Sequence, residues 1–400
     1  MKKTLLAAAL LAGFATAGVA QAETSVTLYG ILDTGYGYQN FKYDHDGADQ
    51  TAKTSGLRSG TVNGNRFGLK GSEDLGNGLR AIFQLEQGFD LGNGQPSSDR
   101  QFHRQAFVGL SSDSWGTFTM GRQYSAGVEV GNLISNGWNM GDVDKVFGGV
   151  GYGNRIDNSF KYVSPDFAGF KLIALYGSEG NDSIDRVDGQ GWAKIKSHLD
   201  SDGKTVVSEV AGSSERTSRT SLGLTYANGP ISAGASYDRS GQTANNDPIT
   251  SWNLNAAYDF EVVKLSLAYG QDRHGKLGWG SNTGGLTGFG AAKTVYAFNK
   301  FGVSSYSDFK SNNYHVGLSA PLAGGKLYAG WNYSTSNLDD AIADGAKGDY
   351  AGNISTYQIN YFYPLSKRTG VYAYGTYGKN LGYVKDLKGT EAGIGLNHKF

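Results

Sequence analysis

The chain has 400 residues and carries 36 basic against 36 acidic side chains, so no concentrated basic face points to nucleic acid. It has no cysteine, which excludes a disulfide framework and thiolate chemistry. Its six histidines (His45, His103, His198, His274, His315, His398) are scattered without ligand-like spacing, so neither a metal nor a cofactor is expected. Sixty-one glycines, six prolines, 25 tyrosines and 19 phenylalanines fit neither a collagen nor a disordered chain and suggest β-structure on a large scale.

In chain order, Lys2 and Lys3 precede an apolar run from Leu5 to Val19, which ends in Ala20-Gln21-Ala22. A charged start, a short apolar middle and an A-x-A end predict a secretory signal peptide cut after Ala22. Residues 23–400 then form the mature domain, with a net charge of −2. The run is short for an anchor helix, and no later stretch approaches the roughly 20 apolar residues a membrane helix needs.

A first strand is predicted near 25–33, "SVTLYGILD". Clean two-residue alternation follows at several places. Ile231, Ala233, Ala235 and Tyr237 interleave with Ser232, Gly234, Ser236 and Asp238. Trp252, Leu254, Ala256 and Tyr258 interleave with Asn253, Asn255, Ala257 and Asp259. Val263, Leu265, Leu267 and Tyr269 continue the pattern, as do Leu327, Ala329, Trp331 and Tyr333. One face is apolar with aromatic ends and the other is polar or tiny.

Tight turns are expected at 73–78, 112–116, 165–169, 227–230, 259–261, 320–325 and 364–368. Long polar loops are expected near 39–62, 91–99, 125–153, 181–215, 241–249, 273–300, 337–353 and 380–389. These fifteen connections imply sixteen strands. An even count, with short turns at one end and long loops at the other, predicts an all-β transmembrane fold, a 16-stranded antiparallel barrel. In lipid a sheet survives only if it closes on itself, because each backbone polar group needs a partner. The last strand, with Ile394, Leu396 and Phe400 two or four apart, must therefore pair with the first. Phe400 would anchor it at the periplasmic interface. A soluble β-sandwich or β-helix also alternates, but it would bury the apolar face and would need no export signal.

Weaker motifs carry little. "GKT" at 203–205 lacks the glycine of a phosphate loop. "DHDGAD" (44–49) and "DSDG" (200–203) lack the later glutamate of a calcium loop and read as solvated loop acids. An outer-membrane enzyme would need a Ser/His or Asp/His constellation, and the scattered histidines offer none.

Three stretches resemble the general trimeric porins of Gram-negative bacteria, particularly the β-proteobacterial branch. They are "NRFGLKGSEDLGNGLRAIFQLEQGFD" (65–90), "RQAFVGLSSDSWGTFTMGRQY" (104–124) and "NRIDNSFKYVSPDFAGFKLIALYG" (154–177). His398, before the last aromatic, departs from the family's usual residue. The resemblance implies an outer-membrane location and a homotrimer surrounded by outer-membrane lipid and lipopolysaccharide. It also implies a terminal Phe400 that serves as the assembly signal for the barrel assembly machinery. A third loop, here 125–153, would fold into the barrel and narrow it. Matched to the family's motifs, Arg66, Arg104 and Arg155 take the basic wall positions of the constriction, Glu86 an acidic wall position and Asp142 the loop acid. Val146 stands where a second loop acid is expected, so that acid is missing or shifted, and Asp144 and Lys145 lie nearby.

Alternation agrees for the wall: Arg66 and Lys70 share one face against Phe67 and Leu69, and Gln84 and Glu86 share one against Phe83 and Leu85. Arg122 shares parity with Phe118 and Met120, so it is expected to point outward, to the subunit interface. The resemblance implies a passive channel for small hydrophilic solutes and ions, weakly anion-selective. A sugar-specific channel, or a barrel serving as adhesin or receptor, are the rival functions.

Overall fold

The computed structural model describes residues 24–45, 48–134, 155–180, 194–199, 205–210, 216–240, 248–274, 310–338 and 351–400. The expected signal segment with Ala22, and the loop acids Asp142 and Asp144, lie outside the described residues.

The chain alternates because it crosses a boundary that wants opposite faces. On β13 (Ile249–Asp259) Leu254 is 51% exposed, while Asn253 and Asn255 are only 1% and 4% exposed. The ordinary arrangement of a soluble protein is inverted, with apolar side chains outside and polar ones inside. This is the pattern of a barrel in lipid.

The strands before it are β1 (Thr24–His45), β2 (Ala48–Ser59), β3 (Arg66–Gly76), β4 (Leu79–Gly88), β5 (Ala106–Ser112), β6 (Gly116–Tyr124), β7 (Arg155–Val163) and β8 (Phe170–Gly180). Next come β9 (Lys194–Leu199), β10 (Thr205–Val210), β11 (Arg216–Asn228) and β12 (Ile231–Ser240). After β13 follow β14 (Lys264–Arg273), β15 (Lys310–Leu322), β16 (Gly325–Ser336), β17 (Ile354–Pro364), β18 (Thr369–Lys379) and β19 (Leu387–Lys399).

β9 and β10 pair only with each other, as a separate hairpin. β2 and β3 are two halves of one stave, because β1 pairs with β3 along Thr24–Ile31 and with β2 along Thr34–His45. The ring therefore has sixteen antiparallel staves, as the alternation predicts, and all seven tight turns fall where expected.

The seam closes between β1 and β19, from Ile31 opposite Lys399 to Tyr43 opposite Leu387. Beyond it Gly30 and Phe400 exchange both backbone hydrogen bonds at 3.1 Å. The Phe400 ring fills the space a Cβ at Gly30 would need, and that Cβ would also stand 2.7 Å from the Arg66 carbonyl. Glycine is what lets the terminal ring lie flat on the first strand.

Three loop expectations are corrected. Residues 39–62 are mostly strand: β1 has 22 residues, about twice the 9–11 a tilted crossing needs, and it pairs with β2 out to His45–Ala48. This hairpin extends past the lipid, where its backbone ladder holds without an apolar face. The 181–215 stretch contains the β9–β10 hairpin. The 380–389 stretch is short, because β19 begins at Leu387 and Leu381–Tyr383 form a buried 3₁₀ turn packed beside Phe41.

Candidate functional site

Glu86 is the hub of the site. It sits two residues before the end of β4, facing inward with Gln84, and is 4% exposed. A carboxylate this buried needs partners. Arg104 Nε donates to Glu86 Oε1, and Arg155 Nη2 lies 3.9 Å from the same oxygen. The Tyr29 hydroxyl donates to Oε2 at 2.9 Å, and Gln84 Nε2 donates to that hydroxyl at 2.5 Å.

Tyr124 binds the arginines from the other side. Its hydroxyl accepts from Arg155 Nη2 and, at 3.5 Å, from Arg104 Nη2, while the Arg155 guanidinium lies 4.0 Å from its ring centroid. That stacking is a cation–π contact. Arg66, the first residue of β3, bonds through Nε to the Gly64 carbonyl at 2.9 Å.

Two arginines far apart in sequence thus meet at one carboxylate, and the guanidinium of Arg66 flanks Gly64 together with that of Arg104. The local surplus is two positive charges among the described groups. His103, in the connection just before Arg104, has its imidazole pushed below the ordinary value. Burial is the main cause, and Arg104, Arg155 and Arg122 add to it.

After β6 the chain turns inward. Helix α1 (Ala126–Gly131) is capped by Ser125, whose side chain accepts from Val128 N. It docks on the inner wall of β11–β13. Ala126 N donates to Ser221 Oγ at 2.7 Å, and Asn255 Nδ2 donates to the Val130 carbonyl at 3.1 Å. A Cβ at Gly223 would stand 2.8 Å from the Ala126 Cβ, so only glycine admits the helix this closely. Lys161 on β7 holds it from the opposite side, donating to Glu129 Oε1 at 2.8 Å and to the Tyr124 carbonyl at 3.1 Å. Ile134 then buries against Ala257 and Ala268. Residues 125–134, the described part of the 125–153 loop, thus run along the inside of the barrel.

The Gram-negative porin family matches residues 7–383. The chain belongs to that family. This porin is 39% identical over 431 aligned residues to an outer membrane porin protein of Bordetella pertussis, the match covering 100% of both chains. It is 29% identical to outer membrane porin protein 32 of Delftia acidovorans, over 98% of this chain and 92% of that one. Among solved structures, an anion-selective porin from Comamonas acidovorans shares its fold with a TM-score of 0.65 at 22% identity. That match covers 94% of this chain and 100% of the other. OmpF of Salmonella typhi, solved with daunomycin, gives 0.59 at 16% identity over 94% and 97% of the two chains. The porin is therefore an outer-membrane protein, and its barrel is a passive diffusion channel for small hydrophilic solutes and ions rather than an enzyme.

The structure brings Arg66, Arg104, Arg155 and Glu86 together. Arg122 stays out of that cluster. It follows Phe118 and Met120 in the alternation, its Nε donates to the His103 carbonyl at 2.6 Å, and its Nη1 pairs with Asp157. Asp157 also holds Arg100 Nη1 at 2.5 Å.

Sequence reasoning missed Tyr29, Tyr124 and Lys161. Tyr29 was within reach, since its parity opposes the exposed Val26 and Leu28. Tyr124 carries no such signal, because it is defined only by the two arginines that reach it.

Proposed function

We propose that the porin is weakly anion-selective and works as a homotrimer, with Arg66, Arg104 and Arg155 as the attracting face of its constriction. Glu86 and Asp142 are the acidic counterweight, and Asp144 stands near the place of a second loop acid. The observation that carries this reading is the meeting of the Arg104 and Arg155 guanidiniums at the single Glu86 carboxylate, with the Arg66 and Arg104 guanidiniums both beside Gly64. The anion selectivity of the solved relative from Comamonas acidovorans supports it.

One charge about 6 Å from a passing ion contributes about 0.7 kcal/mol in a water-like medium. A surplus of one or two charges therefore corresponds to a permeability ratio of a few-fold up to about tenfold. Converting all three arginines to glutamine should abolish or invert the preference. Reversal potentials in a tenfold potassium chloride gradient measure this, and a triple variant that keeps the wild-type value would remove these arginines from the filter. The preference should also fade in concentrated salt, since the Debye length is about 3 Å at 1 M.

In the trimer, Arg122 belongs to the contact between copies, beside the exposed Phe118 and Met120. Phe400, laid on Gly30 at the seam, is the assembly signal offered to the barrel assembly machinery. Lipid and lipopolysaccharide cover the remaining outer face.

A further inference from the structure

Opposite the β1 seam the second stave is broken. Ile31 pairs with Arg66 and Thr34 pairs with Ser59, so six residues, 60–65, stand opposite only two, 32 and 33. The surplus cannot stay in the ladder. It folds to the inner side, where Val62 packs against the buried rings of Tyr372 and Tyr374.

Asp33 holds the fold in place. Its side chain is fully buried on the inner face. Oδ1 accepts from Thr61 N at 2.9 Å, Val62 N at 3.4 Å and the Tyr372 hydroxyl at 2.8 Å. Oδ2 accepts from Asn63 N at 3.2 Å and Asn397 Nδ2 at 2.8 Å. Its backbone joins in, since Gly60 N donates to the Asp33 carbonyl at 2.8 Å and Asp33 N donates to Asn65 Oδ1 at 2.5 Å. Asn65 Nδ2 in turn donates to Ser59 Oγ at 2.8 Å, and Phe89 N donates to the Asn65 carbonyl at 3.2 Å. A single carboxylate thus replaces the missing ladder of three consecutive peptide groups.

The segment it shapes ends at the charged site. Gly64 offers its carbonyl to Arg66 Nε at 2.9 Å. A Cβ at Gly64 would lie 3.5 Å from Arg104 Nη1 and 3.9 Å from Arg66 Nη2. From this chain of contacts we infer that Asp33 is a positioning residue for the pore arginines, acting through the 60–65 segment without touching the permeating ion. The inference rests on the reading of Arg66 and Arg104 as part of the ion filter.

The chemistry demands an acid. All five groups facing the two oxygens are donors, so an asparagine would set its amide hydrogens against donors in either orientation. A carboxylate accepts them all, and charge-assisted bonds of this kind are the strong ones.

The chain has no cysteine, so a single Gly64→Cys is a clean reporter. In that background, reaction rates with anionic, cationic and neutral methanethiosulfonates are measured on assembled protein, together with the reversal potential. Asp33→Asn should lower the anionic-to-cationic rate ratio at least twofold, raise the rate with the neutral reagent, and move the reversal potential toward that of the triple arginine-to-glutamine variant. Asn65→Ala, which removes the second clasp and leaves the carboxylate, should do the same to a smaller degree. If Asp33→Asn leaves all three readouts at wild type, the assignment falls. If Asp33→Asn does not assemble, unchanged readouts in Asn65→Ala overturn it instead. If the triple variant itself keeps the wild-type potential, the filter reading fails. The neutral-reagent rate then still decides whether Asp33 holds the segment.

Discussion

The two halves of the inner wall solve the problem of burying polar groups in opposite ways. On β3–β7, charge is concentrated and left unequal, with Arg104 and Arg155 on Glu86 and Arg66 beside Gly64 next to Arg104. On β13–β17, across the lumen, mostly uncharged amides and hydroxyls bond one another, and the buried Asp272 carboxylate accepts from Ser311 Oγ and Asn313 Nδ2. His315 Nδ1 donates to Asn332 Oδ1 at 2.6 Å, and Asn332 Nδ2 donates to Thr356 Oγ1 at 3.1 Å. Ser334 Oγ donates to Asn313 Oδ1 at 2.5 Å. Matched hydrogen bonds fix side chains but leave little net field, whereas an unmatched cluster costs stability and projects a field into the pore. One wall is built for permanence and the other for selection.

Removing Glu86 is the strongest way to break the charged half. Glu86→Gln keeps the shape but leaves Arg104 and Arg155 without their shared counter-charge. Stripping one partner from a buried pair costs roughly 3–5 kcal/mol, and water in the lumen should reduce this. The assembled protein should dissociate at a lower temperature on gels run after graded heating. Its anion preference should rise about threefold, the equivalent of about 0.7 kcal/mol for one charge. A reversal potential that stays at the wild-type value would mean Glu86 does not shape the pore field.

The opposite half should behave in the reverse sense. Asn332→Leu removes the hydrogen bonds of Asn332 to His315 Nδ1 and Thr356 Oγ1. Each such bond contributes roughly 0.5–1.5 kcal/mol. Heat resistance should therefore fall while the reversal potential stays within error of wild type. A shift in selectivity without loss of heat resistance would overturn the division of labour between the walls.

The sequence revealed the lipid-facing framework well, because lipid imposes a strict two-residue rule. Leu254 and Tyr258 against Asn253 and Asn255 announce their sides without any structure. The rule stops where lipid stops. Lys42, Asp44, Lys53 and Thr54 alternate nothing, so the β1–β2 hairpin read as loop, although its backbone ladder continues to His45. The break at 60–65 was equally silent, since "GTVNGN" looks like a turn and its anchor, Asp33, lies 27 or more residues earlier. Of the site, Arg66 and Glu86 came from the family motifs, and strand parity agreed that both face the lumen. Arg104 and Arg155 came from the family motifs, and only folding shows both reaching Glu86. Tyr124, which binds those two arginines, could not be found by pattern, because its role is a tertiary meeting point.

Lys161 joins the two halves, and its removal should give the smallest effect. It rises from β7 on the charged side and grips Glu129 of α1, whose other face is docked on β11–β13. Lys161 itself is buried, but the Glu129 side chain is 39% exposed. Solvent screening therefore reduces the ion pair to about 1 kcal/mol or less. The glutamine of Lys161→Gln can still donate to the Tyr124 carbonyl, and the contacts of Ala126 and Val130 remain. The helix should stay docked but move more freely about that anchor. The expected outcome is unchanged heat resistance, a single-channel conductance within twofold of wild type, and more open-channel current noise. Adding Ser221→Ala, which frees Ala126 N, should enlarge the noise further. If the double variant conducts as quietly as wild type, the apolar burial of Ala126, Val130 and Ile134 holds the helix by itself. The ion pair would then contribute nothing to the narrowing of the pore.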